Sequence, residues 1–372
     1  MRPVSRHYDV SNFRSKLSVD DMSLNTGDIK RVAFVGDYLP RKCGIATFTH
    51  DLRCGFANRH RDISCHVCAV NDEGTYNYPE EVRFEFSEQD AAGYQRLADY
   101  INTHQVDAVS LQHEYGIYGG DCGEMILTFL KEVRVPVVTT LHTILQDPNP
   151  QQRRVMQGIL TLSARVVTMT EKGRCLLETV YRADSNRVDV VPHGIPEFEF
   201  GDPKDFKGSV GLEGHRVLLT FGLLSPNKGL EYAIRALPKV VEEFPDLMYV
   251  ILGQTHPNLI RDHGEAYRNS LQWLANDLGV GKNVKFVNCF VDLDLLKQYI
   301  AAADVYVTPY LHEAQITSGT LSYAFGMGTA VVSTPYWHAV DLLGNGNGII
   351  VPFRESEPLQ VALADLLRND SK

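Results

Sequence analysis

Short apolar runs alternate along this chain with stretches whose apolar positions recur every third or fourth residue. The runs are four to eight residues long, rich in Val, Ile, Leu and Phe, and bounded by Gly, Pro, Asn or Asp, which predicts strands. The 3.6-periodic stretches predict helices packed against them. In the first half strands are expected at 31–36, 63–70, 108–112, 135–141, 166–169 and 188–191, with helices at 45–58, 94–104, 124–132 and 171–181. The stretch 198–214 breaks this rhythm: it holds Pro203, four glycines and several charges, and predicts a linker. The alternation then restarts. Strands are expected at 216–222, 247–252, 284–287, 305–309, 330–333 and 349–351, with helices at 231–244, 267–278, 294–302, 320–327 and 358–368. Pro238 is expected to kink or end the first of these helices. Gly344-Asn345-Gly346-Asn347-Gly348 precedes a strand instead of opening a helix and predicts a turn. Strands that are apolar on both faces and alternate with helices belong to parallel sheets. The predicted fold class is therefore α/β, with two Rossmann-like doubly wound domains at 29–197 and 215–372 facing each other across a cleft, after a flexible extension over 1–28. Ligands of such sheets bind outside the carboxyl ends of the strands.

Composition narrows the partners. The 372 residues are 44% hydrophobic and 22% charged, a globular balance large enough for two cores. The net charge is -10, and it is spread: the first 200 residues carry 22 basic and 27 acidic groups, the remainder 14 and 19. An acid excess without a basic face argues against nucleic acid and anionic lipid as partners. A single anionic ligand in a local basic pocket stays compatible with it. No run approaches the ~18 apolar residues of a membrane span. The segment 1–28 lacks the apolar middle of a signal peptide. Seven cysteines, odd in number and irregularly spaced, suit a reducing compartment, so a cytoplasmic location is expected. Cys65 and Cys68 form a CxxC within a predicted strand, where positions three apart face opposite sides, so strand packing is expected in place of a metal site.

The chemistry-bearing residues fall where predicted strands end. Gly44 lies in the loop from the first strand to its helix, where a missing side chain lets backbone approach a ligand; a plain tight turn is the alternative. In Ser225-Pro226-Asn227-Lys228-Gly229, Lys228 is placed at a helix start, either to neutralise phosphate or as an ordinary solvated lysine. The stretch from Pro309 to Thr320 leaves a strand and enters a helix. There the small Ser318, Gly319 and Thr320 let backbone amides surround an anion. Glu313 stands just before them, and a carboxylate beside an anion site finds its use in holding sugar hydroxyls. His142, and His113 with Glu114, follow apolar strands and are placed at the cleft mouth; structural histidines are the alternative.

In their order and spacing these segments, together with Val191-Pro192-His193-Gly194 and Gly328-Thr329-Ala330-Val331-Val332, resemble the family 4 glycosyltransferases of the GT-B fold, from residue 29 to residue 352. The resemblance implies retaining transfer of a hexose from a nucleotide diphosphate sugar, the co-substrate, to a saccharide, glycolipid or other hydroxyl acceptor; no metal cage is apparent in the sequence, so neither a metal nor a further cofactor is expected. It implies that Gly44 lies near the donor phosphate and acceptor, that Lys228 pairs with the diphosphate, and that Ser318, Gly319 and Thr320 cap it. It also implies that Glu313 holds donor sugar hydroxyls and that His142 lies near the donor sugar. By position, His113, Glu114, Tyr115 and Tyr118 form an acceptor-side loop.

The sequence departs from the family in three places. The arginine expected shortly before the phosphate lysine is Leu223. The second acid of the glutamate pair, which grips the ribose, is replaced by Leu321 on one alignment and Tyr323 on another, with Gln315 placed to stand in part for it. The sequence given stops soon after Arg368, before the helices with which the family usually crosses back onto the first domain, so a protein short by nature and a piece of a longer one both stay open. These departures keep two rivals in view: a GT-B sugar phosphorylase that uses inorganic phosphate and needs no ribose grip, and a catalytically silent sugar-binding or scaffold protein. Retention of Lys228, Glu313 and His142 speaks against the second.

Overall fold

In β1 (Arg31–Gly36), Val32 and Phe34 turn to one face of a sheet and Ala33 and Val35 to the other, and all four are buried. A strand that is apolar on both faces is stable only where helices cover both. The computed structural model describes residues 29–198 and 200–369; the extension expected over 1–28 lies outside the described residues. After β1 the first domain continues through α1 (Gly44–Arg59), β2 (Ser64–Asn71), β3 (Val82–Ser87), α2 (Ala91–Thr103), β4 (Ala108–His113), α3 (Ile126–Glu132), β5 (Val137–Leu141), α4 (Pro150–Leu162), β6 (Arg165–Thr168), α5 (Glu171–Tyr181) and β7 (Val188–Val190). Its seven parallel strands lie in the order β3-β2-β1-β4-β5-β6-β7.

The second domain runs α6 (Pro203–Lys207), β8 (Arg216–Phe221), α7 (Leu230–Glu243), β9 (Leu247–Leu252), α8 (Pro257–His263), α9 (Ala266–Asp277), β10 (Val284–Val287), α10 (Leu293–Ala301), β11 (Val305–Thr308), α11 (Gly319–Gly326), β12 (Ala330–Ser333), α12 (Trp337–Leu343), β13 (Ile349–Ile350) and α13 (Ser356–Arg368). Its parallel sheet has the order β10-β9-β8-β11-β12-β13, the same winding as the first. In both sheets the chain reverses direction of travel beside its opening strand: between β1 and β4, and between β8 and β11. Those two switch points are where loops part and leave a crevice.

The structure corrects several expectations. Helix α4 lies where none was expected, although Asn149 and Gln152 form a reciprocal cap and Pro150 opens the helix. Strand β3 is an edge strand in which the more buried Val82, Phe84 and Phe86 alternate with exposed residues. Pro238 neither ends nor splits α7, because Ala233, Ile234, Leu237 and Val240 hold that helix to the sheet by burial. The expected linker 198–214 is not free: Phe198 and Phe206 pack with Val210 and Leu212 on the second core, and Asp202 caps α6. Its aromatics are too sparse to show periodicity, yet they cover the end of the sheet. Cys65 and Cys68 do pack on opposite faces of β2.

The two domains touch through side chains. Ile316, from the loop before α11, is 4% exposed and joins the core of the first domain, with Trp337 packed beside it. The Lys172 ammonium lies 4.8 Å from the centre of the Trp337 ring, and the Lys172 amide donates to Asp341 at 3.4 Å.

Candidate functional site

The second switch point carries a chain of polar groups. Two loops meet there, one after β8 and one after β11, and Gly229 is what lets them meet. Its φ is +62°, and a Cβ at that position would lie 2.2 Å from the Pro309 carbonyl oxygen. The Leu311 amide donates to the Asn227 carbonyl at 2.9 Å. This docking sets Lys228 over Tyr310. The Lys228 Nζ donates to the Tyr310 hydroxyl at 2.6 Å, that hydroxyl lies 2.9 Å from Thr320 Oγ1, and Thr320 Oγ1 lies 3.2 Å from Ser318 Oγ. Burial pushes the Tyr310 phenol up, but the charge of Lys228 and the hydrogen bond it donates pull the other way, and the phenol is held below its usual value.

Helix α11 begins at this chain. Ser318 caps it by accepting from the Leu321 amide at 3.3 Å. The Ser318 amide, expected to cap an anion, is committed elsewhere, donating to His338 Nδ1 at 2.8 Å. The amides of Gly319 and Thr320 stand in the first turn, where the helix has no acceptor for them. Accepting at Nδ1 fixes His338 as the neutral tautomer with its proton on Nε2, and burial then holds it down at about 4. Gln315 turns its amide to its own loop, donating to the Thr317 carbonyl at 2.6 Å. Glu313 is exposed on the same loop.

The first switch point is different in character. Gly44 opens α1, and a Cβ there would meet nothing within 4 Å, so the loop leaves space. Beneath it Asp37 is fully buried, paired with Arg41 at 2.9 Å and accepting from the Cys43 thiol at 3.2 Å. Burial raises Asp37 to about 6 against the pull of Arg41. Arg41 also pairs with Asp72 at 3.3 Å, so two carboxylates neutralise it. His142 is half-buried at the end of β5, with Nε2 3.0 Å from Gln112 Oε1. Burial, then the neighbouring His193 and His113, hold it neutral, down at about 3. If its Nε2 donates to Gln112, its Nδ1 is an acceptor.

The acceptor-side loop needs correcting. His113, Tyr115 and Tyr118 are buried. The Tyr118 hydroxyl donates to the Gln112 carbonyl at 2.6 Å, and the Tyr115 ring stands edge-on to His113 at 5.2 Å. The turn at Tyr115–Ile117 rolls these rings into the core. Glu114 accepts from the Thr143 hydroxyl and the Tyr115 amide, and burial raises its carboxyl.

Between the switch points lie groups that the sequence did not single out as a set. Phe48 of α1 packs edge-on against both His142, at 4.7 Å, and His193, at 5.1 Å. His193 Nε2 lies 3.0 Å from where a Gly319 Cβ would be, and its Nδ1 is 2.7 Å from the Gly194 carbonyl. The Tyr323 hydroxyl donates to Asp51 at 2.7 Å, across 272 residues. Lys228, Tyr310, Thr320 and Ser318 thus form one group, and His142, Phe48 and His193 lead to it from the other domain. Among the described residues no group of three or more His, Cys, Asp or Glu is arranged to hold a metal ion. Nor is any described helix long and apolar enough to cross a membrane.

Comparison with known proteins points the same way. Residues 43–197 match the model of Glycosyltransferase Family 4, and residues 215–369 match that of Glycosyl transferases group 1, so the two models together cover most of the chain. A D-inositol 3-phosphate glycosyltransferase of Segniliparus rotundus is 28% identical over 71% of this chain and 60% of its own length. A phosphatidyl-myo-inositol mannosyltransferase of Mycolicibacterium smegmatis is 26% identical over 73% of this chain and 63% of its own. This chain therefore spans about three-fifths of the length of such curated relatives. Among solved structures, Anabaena HepE in complex with UDP superposes with a TM-score of 0.71 at 17% identity, covering 92% of this chain and 91% of that one, a likeness of fold.

Proposed function

As this chain belongs to the family 4 glycosyltransferases of the GT-B fold, we propose that it moves a hexose, with retention, from a nucleotide diphosphate sugar to the hydroxyl of a saccharide or glycolipid. One observation carries the proposal: a lysine, three side-chain hydroxyls and a helix start converge at the second switch point, opposite a neutral histidine of the first domain. A lysine at a helix start is suited to the negative charge that grows on a leaving diphosphate. In that step the bond from the anomeric carbon to the phosphate oxygen breaks. A bond from the acceptor oxygen forms on the same face, and the acceptor proton passes to the departing phosphate. Glu313 is assigned to the donor sugar hydroxyls and neutral His142 to a hydroxyl nearby. Transfer by the inositol phosphate and mannosyl relatives, and UDP bound by the Anabaena structure, support a nucleotide donor.

A second reading rests on Tyr323. It stands where one alignment puts the ribose-gripping acid, and its hydroxyl is engaged by Asp51. A sugar phosphorylase, which handles phosphate without a nucleoside, fits that substitution. A donor screen by mass spectrometry separates the two. Incubation with UDP, GDP and ADP sugars and a panel of acceptors is expected to release nucleoside diphosphate. Release of sugar phosphate in inorganic phosphate, with no nucleotide from any donor, would establish the phosphorylase instead.

A further inference from the structure

Resting on the diphosphate reading above, we infer that Tyr310 is a positioning residue, whose phenol holds the Lys228 ammonium at the start of α11 and turns the Thr320 hydroxyl into a donor for the phosphate.

The argument is one of hydrogen counting. An ammonium only donates, so at 2.6 Å the Tyr310 oxygen accepts from Lys228. The phenol has one hydrogen left, and Thr320 Oγ1 lies within reach of it at 2.9 Å. Either oxygen can be the donor at that distance; in the arrangement inferred here Tyr310 gives its hydrogen, and Thr320 accepts it and keeps its own to give. Within the protein its recipient is Ser318 Oγ, at 3.2 Å, which already accepts from the Leu321 amide. This last link is the longest of the three and the only one between neutral aliphatic hydroxyls. A phosphate oxygen at the helix start is a stronger acceptor and replaces Ser318 there. The charge on Lys228 polarises the phenol O–H toward Thr320 and so favours this order, in which the chain delivers a second donor beyond the ammonium. Each link polarises the next.

Tyr310 is built to stay still. It is 3% exposed, and its ring stacks on Tyr336 at 5.1 Å with 20° between the planes. Its carbonyl accepts from the Thr334 hydroxyl at 2.5 Å. The docking of the two loops at Gly229 leaves the Lys228 Nζ 3.9 Å from the centre of the Tyr310 ring, so the ring face as well as the hydroxyl confines a long, flexible side chain. The expected arginine being Leu223, this confinement lets one lysine and one threonine serve together.

The test is calorimetry on the full chain, with inorganic pyrophosphate, UDP, GDP and ADP as probes, joined to donor kinetics. Tyr310→Phe is expected to bind the diphosphate about tenfold or more weakly, the loss expected of a hydrogen bond to a charged group. Thr320→Val is expected to show a similar loss, Thr320→Ser to restore affinity, and the double variant Tyr310→Phe with Thr320→Val to be no worse than either alone. Unchanged affinity in Tyr310→Phe overturns the inference, as do additive losses in the double variant. If Tyr310→Phe fails to fold, Thr320 decides: equal affinity in its Val and Ser variants overturns the inference. Failure of the wild-type chain to bind pyrophosphate or any of the nucleotides overturns the diphosphate reading itself, and this inference with it.

Discussion

The two switch points are built on the same strand order and reach opposite electrostatic solutions. At the first, ionisable groups are silenced. His113 and His142 are held neutral by burial, Arg41 is matched by two carboxylates, and Asp37 is raised to about 6. At the second, His338 is also held neutral by burial, but the Lys228 side chain stands at a helix start and donates into a chain of hydroxyls. A parallel sheet presents its carboxyl ends to a crevice in both cases, so the winding alone does not set the chemistry. What differs is what each loop buries. The first loops bring carboxylates and imidazoles into low-dielectric surroundings, where charge is costly. The second leave an ammonium at the rim with a dipole beside it. That division suits a neutral polyol on one side and a diphosphate on the other.

The largest effect that would sharpen this contrast is expected at Glu313. Glu313→Ala should lower turnover by about a thousandfold, an effect of the order seen for a lost transition-state contact. Because the side chain is exposed, the melting temperature should not move. Wild-type turnover in that variant would remove Glu313 from the site. Next, Lys228→Ala should cost about a hundredfold in kcat/KM for the donor, with weaker diphosphate binding measured by calorimetry. Unchanged affinity would make Lys228 an ordinary surface lysine and erase the contrast between the two regions.

The silenced histidines of the first domain predict acid lability. A histidine whose folded pKa is depressed contributes stability above its unfolded value, and loses it as pH falls through that value toward the folded one. With folded values of about 3 for His113 and His142 and ~6.5 unfolded, each should lose about 2 kcal/mol between neutral pH and pH ~5. Asp37 acts in the opposite sense: its raised value stabilises at low pH and is lost as pH rises through about 6. It offsets about 1 kcal/mol of the histidine loss. His66 and His338, held down at about 4 by burial, add to the loss in the same range, so urea melts at the two pH values should show a net decline, and His113→Leu should remove about a quarter of the histidine share. A His113→Leu variant whose midpoint depends on pH as strongly as the wild type's would mean that the His113 imidazole charges freely. The smallest effect is expected where the regions touch. Tyr323→Phe removes the bond to Asp51 and should raise KM about threefold, with little change in kcat, through looser apposition of the domains. Small-angle scattering with and without UDP would read the same loosening, and identical profiles and kinetics would deny the contact any role.

Much of the fold was legible because burial on both faces leaves a continuous apolar signature, as in Val32 to Val35 and Val137 to Leu141. Helix α4 was legible in principle, since Asn149, Pro150 and Gln152 are a helix start in plain residues. The site was legible in part. Lys228 and the 318–320 helix start could be picked out as a loop lysine and small residues at strand ends. Tyr310 could be quoted but not understood, since its partner Lys228 lies 82 residues away. Phe48 and Asp51 carry no local signal at all, because an amphipathic helix looks the same whether its outer face meets water or another domain. Reading His113, Tyr115 and Tyr118 as an acceptor loop failed for a related reason: a polar aromatic loop and an inward-rolled turn share one composition.

The amino-acid sequence by itself determined the two doubly wound sheets, their strand-end loops and the placing of a lysine on one of them, because these follow from periodicity and from residues a few positions apart. Only the tertiary structure decided which of those groups burial holds neutral and which hydroxyls stand within reach of one another. Those properties depend on burial and on contacts between loops far apart in the chain, and no local pattern encodes a dielectric or a distance.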